Sequence, residues 1–145
     1  MNIFPIVAAI LSAAFVAVKP PLKVRAVRLH AYSLSSSIWI PVDTLSIQNS
    51  APLKIKLKEP ARFVAQLEQA LAARDTIPMD GFKSSFVRFW FQISYQNGTI
   101  RSVYLAQGSS LLIGTRLYKL DNELKKLIRE YLPEKDTYLP VSSRK

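Results

Sequence analysis

The sequence predicts an α+β domain: a mainly antiparallel sheet with an Asn-Gly hairpin, and two amphipathic helices packed on one face of it. Three observations carry that expectation. The segment "FQISYQNGTIRSVYL" sets Asn97-Gly98 between two runs of β-branched and aromatic residues, a strong short-range hairpin signal. Apolar residues recur at helical spacing in "PARFVAQLEQAL" and again in "NELKKLIREYL". The segments run strands, helix, a three-stranded meander and helix, without the strict strand-helix alternation of a parallel sheet.

Taken in order, the chain is uncharged and mostly apolar from Ile3 to Val18. As a helix this run is about 24 Å long, short of the roughly 30 Å hydrocarbon core, whereas a signal-peptide apolar region needs only about 7–15 residues. Ser12-Ala13-Ala14 supplies the small side chains of a cleavage site. Residues 1–18 therefore read as a signal peptide or an N-terminal membrane anchor, so the expected location is extracytoplasmic, secreted or membrane-anchored. Lys19, Lys23, Arg25 and Arg28 follow the run instead of preceding it, which under the positive-inside rule favours the opposite orientation. A cytoplasmic-facing anchor and a buried first element are the alternatives. Residues 19–133 form one domain, and 134–145, polar and aperiodic, a flexible C-terminal tail.

Within the domain, "LKVRAVRLHAY" reads as a strand whose apolar phase slips between Ala26 and Val27, the mark of a bulge. "SLSSS" is a turn, and "IWIPV" is a short extended piece that Pro41 confines to an edge or an end. In "PLKIKLKEP", Leu53, Ile55 and Leu57 alternate with Lys54, Lys56 and Lys58, giving a half-buried strand with a basic outer stripe. Pro60 suits the first turn of a helix that ends near Arg74, with Phe63, Val64, Leu67, Ala70 and Leu71 as its apolar stripe. "DTIPMDGFKSS" is a loop.

A type I′ turn at Asn97-Gly98 sets Gln96 opposite Thr99. It pairs Tyr95 with Ile100, Ile93 with Ser102, Phe91 with Tyr104 and Phe89 with Ala106 on the face the helices cover. On the reverse face the same register puts Trp90 beside Leu105, with Phe86 farther along, an apolar patch that needs cover. The basic N-terminal segment is the expected cover; a ligand groove or a subunit interface is the alternative. "SSLLIGTRLYKL" adds one strand, and Asp121 or Asn122 caps a last helix striped by Leu124, Leu127, Ile128, Tyr131 and Leu132 and stopped by Pro133.

The 20 Lys and Arg against 10 Asp and Glu leave a net charge of +10 on 145 residues, which favours polyanionic partners: nucleic acid, lipid headgroups or wall polymers. Absence of cysteine excludes a disulfide framework, a thiolate metal site, a cysteine nucleophile and a diacylglycerol anchor. His30 is the sole histidine, so multi-histidine metal sites are excluded, and in a strand it reads as a packed or surface residue. Asp75 and Asp80 read as turn formers in their loop and not as a catalytic pair. "QGSSLLIG" lacks the lysine and the strand-to-helix setting of a phosphate loop, and Asn97-Gly98-Thr99 matches a glycosylation acceptor that the hairpin already explains. No catalytic, cofactor-binding or metal-ligating residue is assigned. The binding candidates are Lys23, Arg25, Arg28, Lys54, Lys56 and Lys58 for an anionic surface, and Phe86, Trp90 and Leu105 for an apolar contact.

"PARFVAQLEQAL", "FQISYQNGTIRSVYLAQG" and "RLYKLDNELKKLIREYL" together run helix, strand, tight hairpin, strand with tyrosine, short strand and helix over about half of the chain, from Glu59 to Leu132. In that order they resemble a recurring small domain of Gram-positive envelope proteins, often lipoproteins of unknown function. The lipid-modified cysteine that follows the leader in those relatives has no counterpart here. The resemblance implies an extracytoplasmic accessory domain with no catalytic residues to carry over. The expected function is thus a non-enzymatic, envelope-associated domain that binds a protein partner or an anionic polymer or lipid at the membrane surface. A cytoplasmic nucleic-acid binder is the alternative, because "RFWF" and "IRSVYL" interleave aromatics with arginines as base-stacking sheets do. An uncharacterised hydrolase is a third.

Overall fold

The structure, a computed structural model, describes residues 21–34, 41–82, 84, 86–107 and 110–141. The leader or anchor expected over 1–18, residues 38–40 of the extended piece and residues 142–145 of the tail lie outside the described residues. Six strands form one antiparallel sheet in the order β2-β1-β3-β4-β5-β6. They are β1 Val24–Ala31, β2 Leu53–Lys56, β3 Val87–Tyr95, β4 Ile100–Ala106, β5 Ser110–Ile113 and β6 Arg116–Lys119. The helices are α1 Ser46–Ser50, α2 Pro60–Ala72, α3 Asn122–Arg129 and α4 Lys135–Tyr138. The chain is α+β, as its residue spacing predicts. No helix among the described residues is long and apolar enough to cross a membrane.

The stripes of α2 and α3 bury Phe63, Val64, Leu67, Leu71, Leu124 and Ile128 against Val27, Leu29, Phe89, Phe91 and Ile93 of the sheet. Phe63 stacks on Phe91 with ring centroids 5.0 Å apart and meets the Tyr131 ring edge-on at 5.0 Å. Asp121 caps α3 by accepting the Leu124 N–H at 2.9 Å. Its carboxylate also takes two bonds from Arg74, both 3.0 Å, which tie the end of α2 to the start of α3. The guanidinium holds the Asp121 carboxyl below the usual carboxylate range.

The connection between β3 and β4 differs from the expected two-residue turn. Gly98 N–H donates to Tyr95 O at 3.1 Å, Tyr95 N–H donates to Thr99 O at 2.9 Å, and the Asn97 side-chain oxygen Oδ1 accepts the Thr99 N–H at 2.9 Å. Gly98 has φ 85°, and Asn97 is not among the positive-φ residues. A type I′ turn needs positive φ at both central residues; one left-handed glycine closes a three-residue loop with a G1 bulge instead. The register moves by one: Ser94 faces Ile100, Gln92 faces Ser102, Phe91 faces Val103, Trp90 faces Tyr104 and Phe89 faces Leu105. Because side chains alternate, every β4 residue changes face relative to the expectation.

Other differences are local. The β1 bulge lies at Arg25, between Val24 and Ala26, one position before the slip read from the sequence. The expected single strand after Ala106 is two, β5 and β6, joined at Gly114-Thr115, where φ 58° at Gly114 suits the first central position of a type II′ turn. The segment expected to be a loose tail carries α4 and buries Leu139 in the main core.

Candidate functional site

Lys54, His30, Trp90, Tyr104, Leu112 and Leu117 form one row across the face of the sheet opposite α2 and α3. The Asp43 carboxylate starts the cover of this row. It accepts the Ser46 hydroxyl at 2.6 Å and the N–H groups of Ser46 and Leu45 at 2.7 and 3.0 Å, bonds that hold its pKa below the ordinary value. The α1 turn that follows seats Ile47 against Val42, Ala51, Val87 and Trp90. His30 Nδ1–H donates to Gln48 O at 3.1 Å, and its ring meets Trp90 edge-on at 4.8 Å. Burial pushes the imidazole pKa down against the opposing Gln48 carbonyl, and Lys54 and Arg28 lower it further. His30 is therefore a packed side chain whose charged form is disfavoured.

Beside this covered row lies an open one: Lys56, Arg28, Gln92 and Ser102. Arg28 and Lys56 are directly opposite each other on β1 and β2. Leu57 N–H donates to Val27 O at 2.9 Å and Tyr32 N–H to Arg88 O at 2.8 Å, so odd residues of β1 bond to β2 and even ones to β3. Arg28–Lys56 is consequently a non-hydrogen-bonded pair, the arrangement that brings opposing side chains closest. Like charges there repel. Among the described residues, ion pairs involve Arg62, Arg74, Arg101 and Arg129, and none involves Lys23, Arg25, Arg28, Lys54, Lys56 or Lys58. Lys54 donates to Asn49 O at 3.2 Å. From Lys19 to Lys58 the chain contains one acid, Asp43, already committed to the α1 turn.

The six basic candidates thus share the β1–β2 side of the sheet, and all six are exposed. Arg28 and Lys56 lie in the open row and Lys54, exposed, at the β2 edge of the covered one, and the three together make the β1–β2 corner; Lys23, Arg25 and Lys58 lie at the end where β1 begins and β2 finishes. The three apolar candidates are not brought together. Leu105 is 0% exposed and faces α2 and α3, because the register shift turned β4 over. Trp90 is 6% exposed beneath α1, and its Nε1–H donates to Ser102 Oγ at 3.0 Å. Among the described residues its cover comes from Val42, Ile47 and Ala51; the start of the basic N-terminal segment expected there lies outside the described residues. Phe86 alone stays open, at 39%. Asp75 and Asp80 are exposed loop residues.

Sequence reasoning missed Arg88, which is 0% exposed. Its position inside the apolar run "FVRFWF" was the available signal. One terminal nitrogen donates to its neighbour Val87 O at 3.1 Å and the other to Gln107 Oε1 at 2.9 Å; Nε has no partner among the described residues. Burial lowers the guanidinium pKa. No protein family, curated protein or solved structure matches this chain.

Proposed function

We propose that this protein is a non-enzymatic, envelope-associated accessory module that engages an anionic partner through the β1–β2 corner. Arg28, Lys54 and Lys56 form the centre of that contact and Lys23, Arg25 and Lys58 its margin. The observation that carries the reading is the Arg28–Lys56 pair: two cations face each other at a close cross-strand position with no carboxylate of the described chain between them. A bound anion relieves that repulsion, so the fold stores a preference for negative charge at this corner. The envelope assignment draws on the apolar start of the chain and on the resemblance carried by residues 59–132. Burial of Phe89, Phe91, Tyr95 and Trp90 favours charge over ring stacking as the recognition mode of the open rows, which weighs against a single-stranded nucleic-acid platform.

Co-sedimentation with phosphatidylglycerol-containing vesicles at low and moderate salt tests the reading. Binding is expected to weaken about tenfold as screening increases, and Arg28→Glu with Lys56→Glu is expected to abolish it. A flat salt response, or full binding by the double variant, counts against the proposal. A stronger response to single-stranded DNA than to anionic vesicles would favour the nucleic-acid alternative.

A further inference from the structure

The two edges of the sheet end differently. The outer edge of β6 is taken by the chain itself, since Ile77 N–H donates to Leu117 O at 2.8 Å in an isolated antiparallel bridge. Nothing among the described residues pairs with the outer edge of β2. The ladder parity that faces Leu53, Ile55 and Leu57 toward β1 turns the backbone N–H and C=O of Lys54 and Lys56 outward. These are two free donors and two free acceptors on a strand whose side chains separate by chemistry: lysines on the reverse face, Ile55 and Leu57 on the helix face. On the helix side the edge borders a groove of about 460 Å³ between β2 and the end of α3, walled by Ile55, Leu57, Tyr131 and Leu132. Glu59 and Glu130 also line it, and Glu59 is paired with Arg62 at 3.2 Å.

We propose that β2 is a docking edge for an extended acidic peptide, which adds to the sheet as a seventh strand. The inference rests on the reading of the β1–β2 corner as an anion-binding face and names the partner's chemistry. Strand addition satisfies the outward groups of Lys54 and Lys56 through the peptide backbone. The peptide residues opposite Lys54 and Lys56 share their face, so acidic side chains at those alternate positions meet Lys54 and Lys56, with Arg28 adding its charge from the next strand. The intervening residues point to the helix side and fill the groove, which selects apolar side chains. A second copy of this chain is a poor occupant, because antiparallel pairing of two β2 edges sets lysine against lysine.

The test uses the full chain and a capped seven-residue peptide alternating Glu with Val, alongside the same peptide N-methylated on its two central glutamates. Both peptides carry the same charge; only the first can donate to the edge from both central glutamates. The unmethylated peptide is expected to bind at least about tenfold more tightly, and to slow hydrogen exchange at the Lys54 and Lys56 amides. Equal binding of the two peptides overturns strand addition while leaving the basic corner as an anion site. Vesicle binding without peptide binding overturns it in favour of a membrane surface. Concentration-dependent protection of the two amides in the protein alone overturns it in favour of a second copy. Failure of vesicles and peptides alike removes both this inference and the reading on which it rests.

Discussion

Arg88 is a cation that the fold seals from solvent without giving it a carboxylate among the described residues. Its bulged place at the start of β3 puts it opposite Tyr32, beside the cover of the reverse face, with Gln107 as its one side-chain acceptor. A buried ion with an unsatisfied Nε costs stability, and an apolar side chain of similar length removes that cost. Arg88→Met is therefore expected to leave stability unchanged or raise it by about 1–3 kcal/mol. Gln107→Ala is expected to lower it by about 1–3 kcal/mol, since it strands the guanidinium. Urea denaturation of the two variants reads both signs, and a large loss in Arg88→Met would mean that the charge is compensated by something beyond Gln107. The apolar run "FVRFWF" carried a signal that sequence reasoning passed over, and the burial itself was not legible, because a strand residue's face depends on where the bulge falls.

At the scale of elements, the helices were the most legible. Pro60 and Asp121 start α2 and α3 through local chemistry, the first by tolerating a missing donor and the second by capping. The hairpin turn was less so, although its residues were recognised, because Asn-Gly admits more than one turn and each sets its own register. The observed loop places positive φ on Gly98 alone. A Cβ at Gly98 meets nothing within 4 Å, so Gly98→Ala is expected to cost roughly 1–2 kcal/mol through backbone strain alone. Asn97→Ala is expected to cost less than about 1 kcal/mol, the value of its bond to Thr99. Equal, large losses at both positions would instead indicate the two-residue type I′ turn. The short helix α1 escaped sequence reading because five residues carry too little periodicity; its signal is the Asp43–Ser46 turn.

Across the whole molecule, the segment after Pro133 closes the fold. Arg129 of α3 donates to Lys135 O and Leu139 O and pairs with Asp136, while Leu34 N–H donates to Tyr138 O at 2.9 Å and Ser33 Oγ–H to Thr137 O at 2.6 Å. Leu139, 0% exposed, is thereby fixed between the end of β1 and α3. Leu139→Ala is expected to cost about 2–4 kcal/mol in equilibrium unfolding, and a loss below about 0.5 kcal/mol would restore the picture of a loose tail. By itself, the sequence determined the α+β class, the starts of the two main helices and the placement of Lys54 and Lys56 on one face of a strand; it ran the last helix on to Pro133, where the structure ends it at Arg129. Each depends on residues within a few positions of one another, where spacing and capping act locally. The tertiary structure decided the β3–β4 register, the covering of Trp90 by α1, the burial of Leu105 and Leu139, and the meeting of Arg28 with Lys56. Those depend on contacts between distant segments, and in a sheet a slip of one residue exchanges the two faces of a strand.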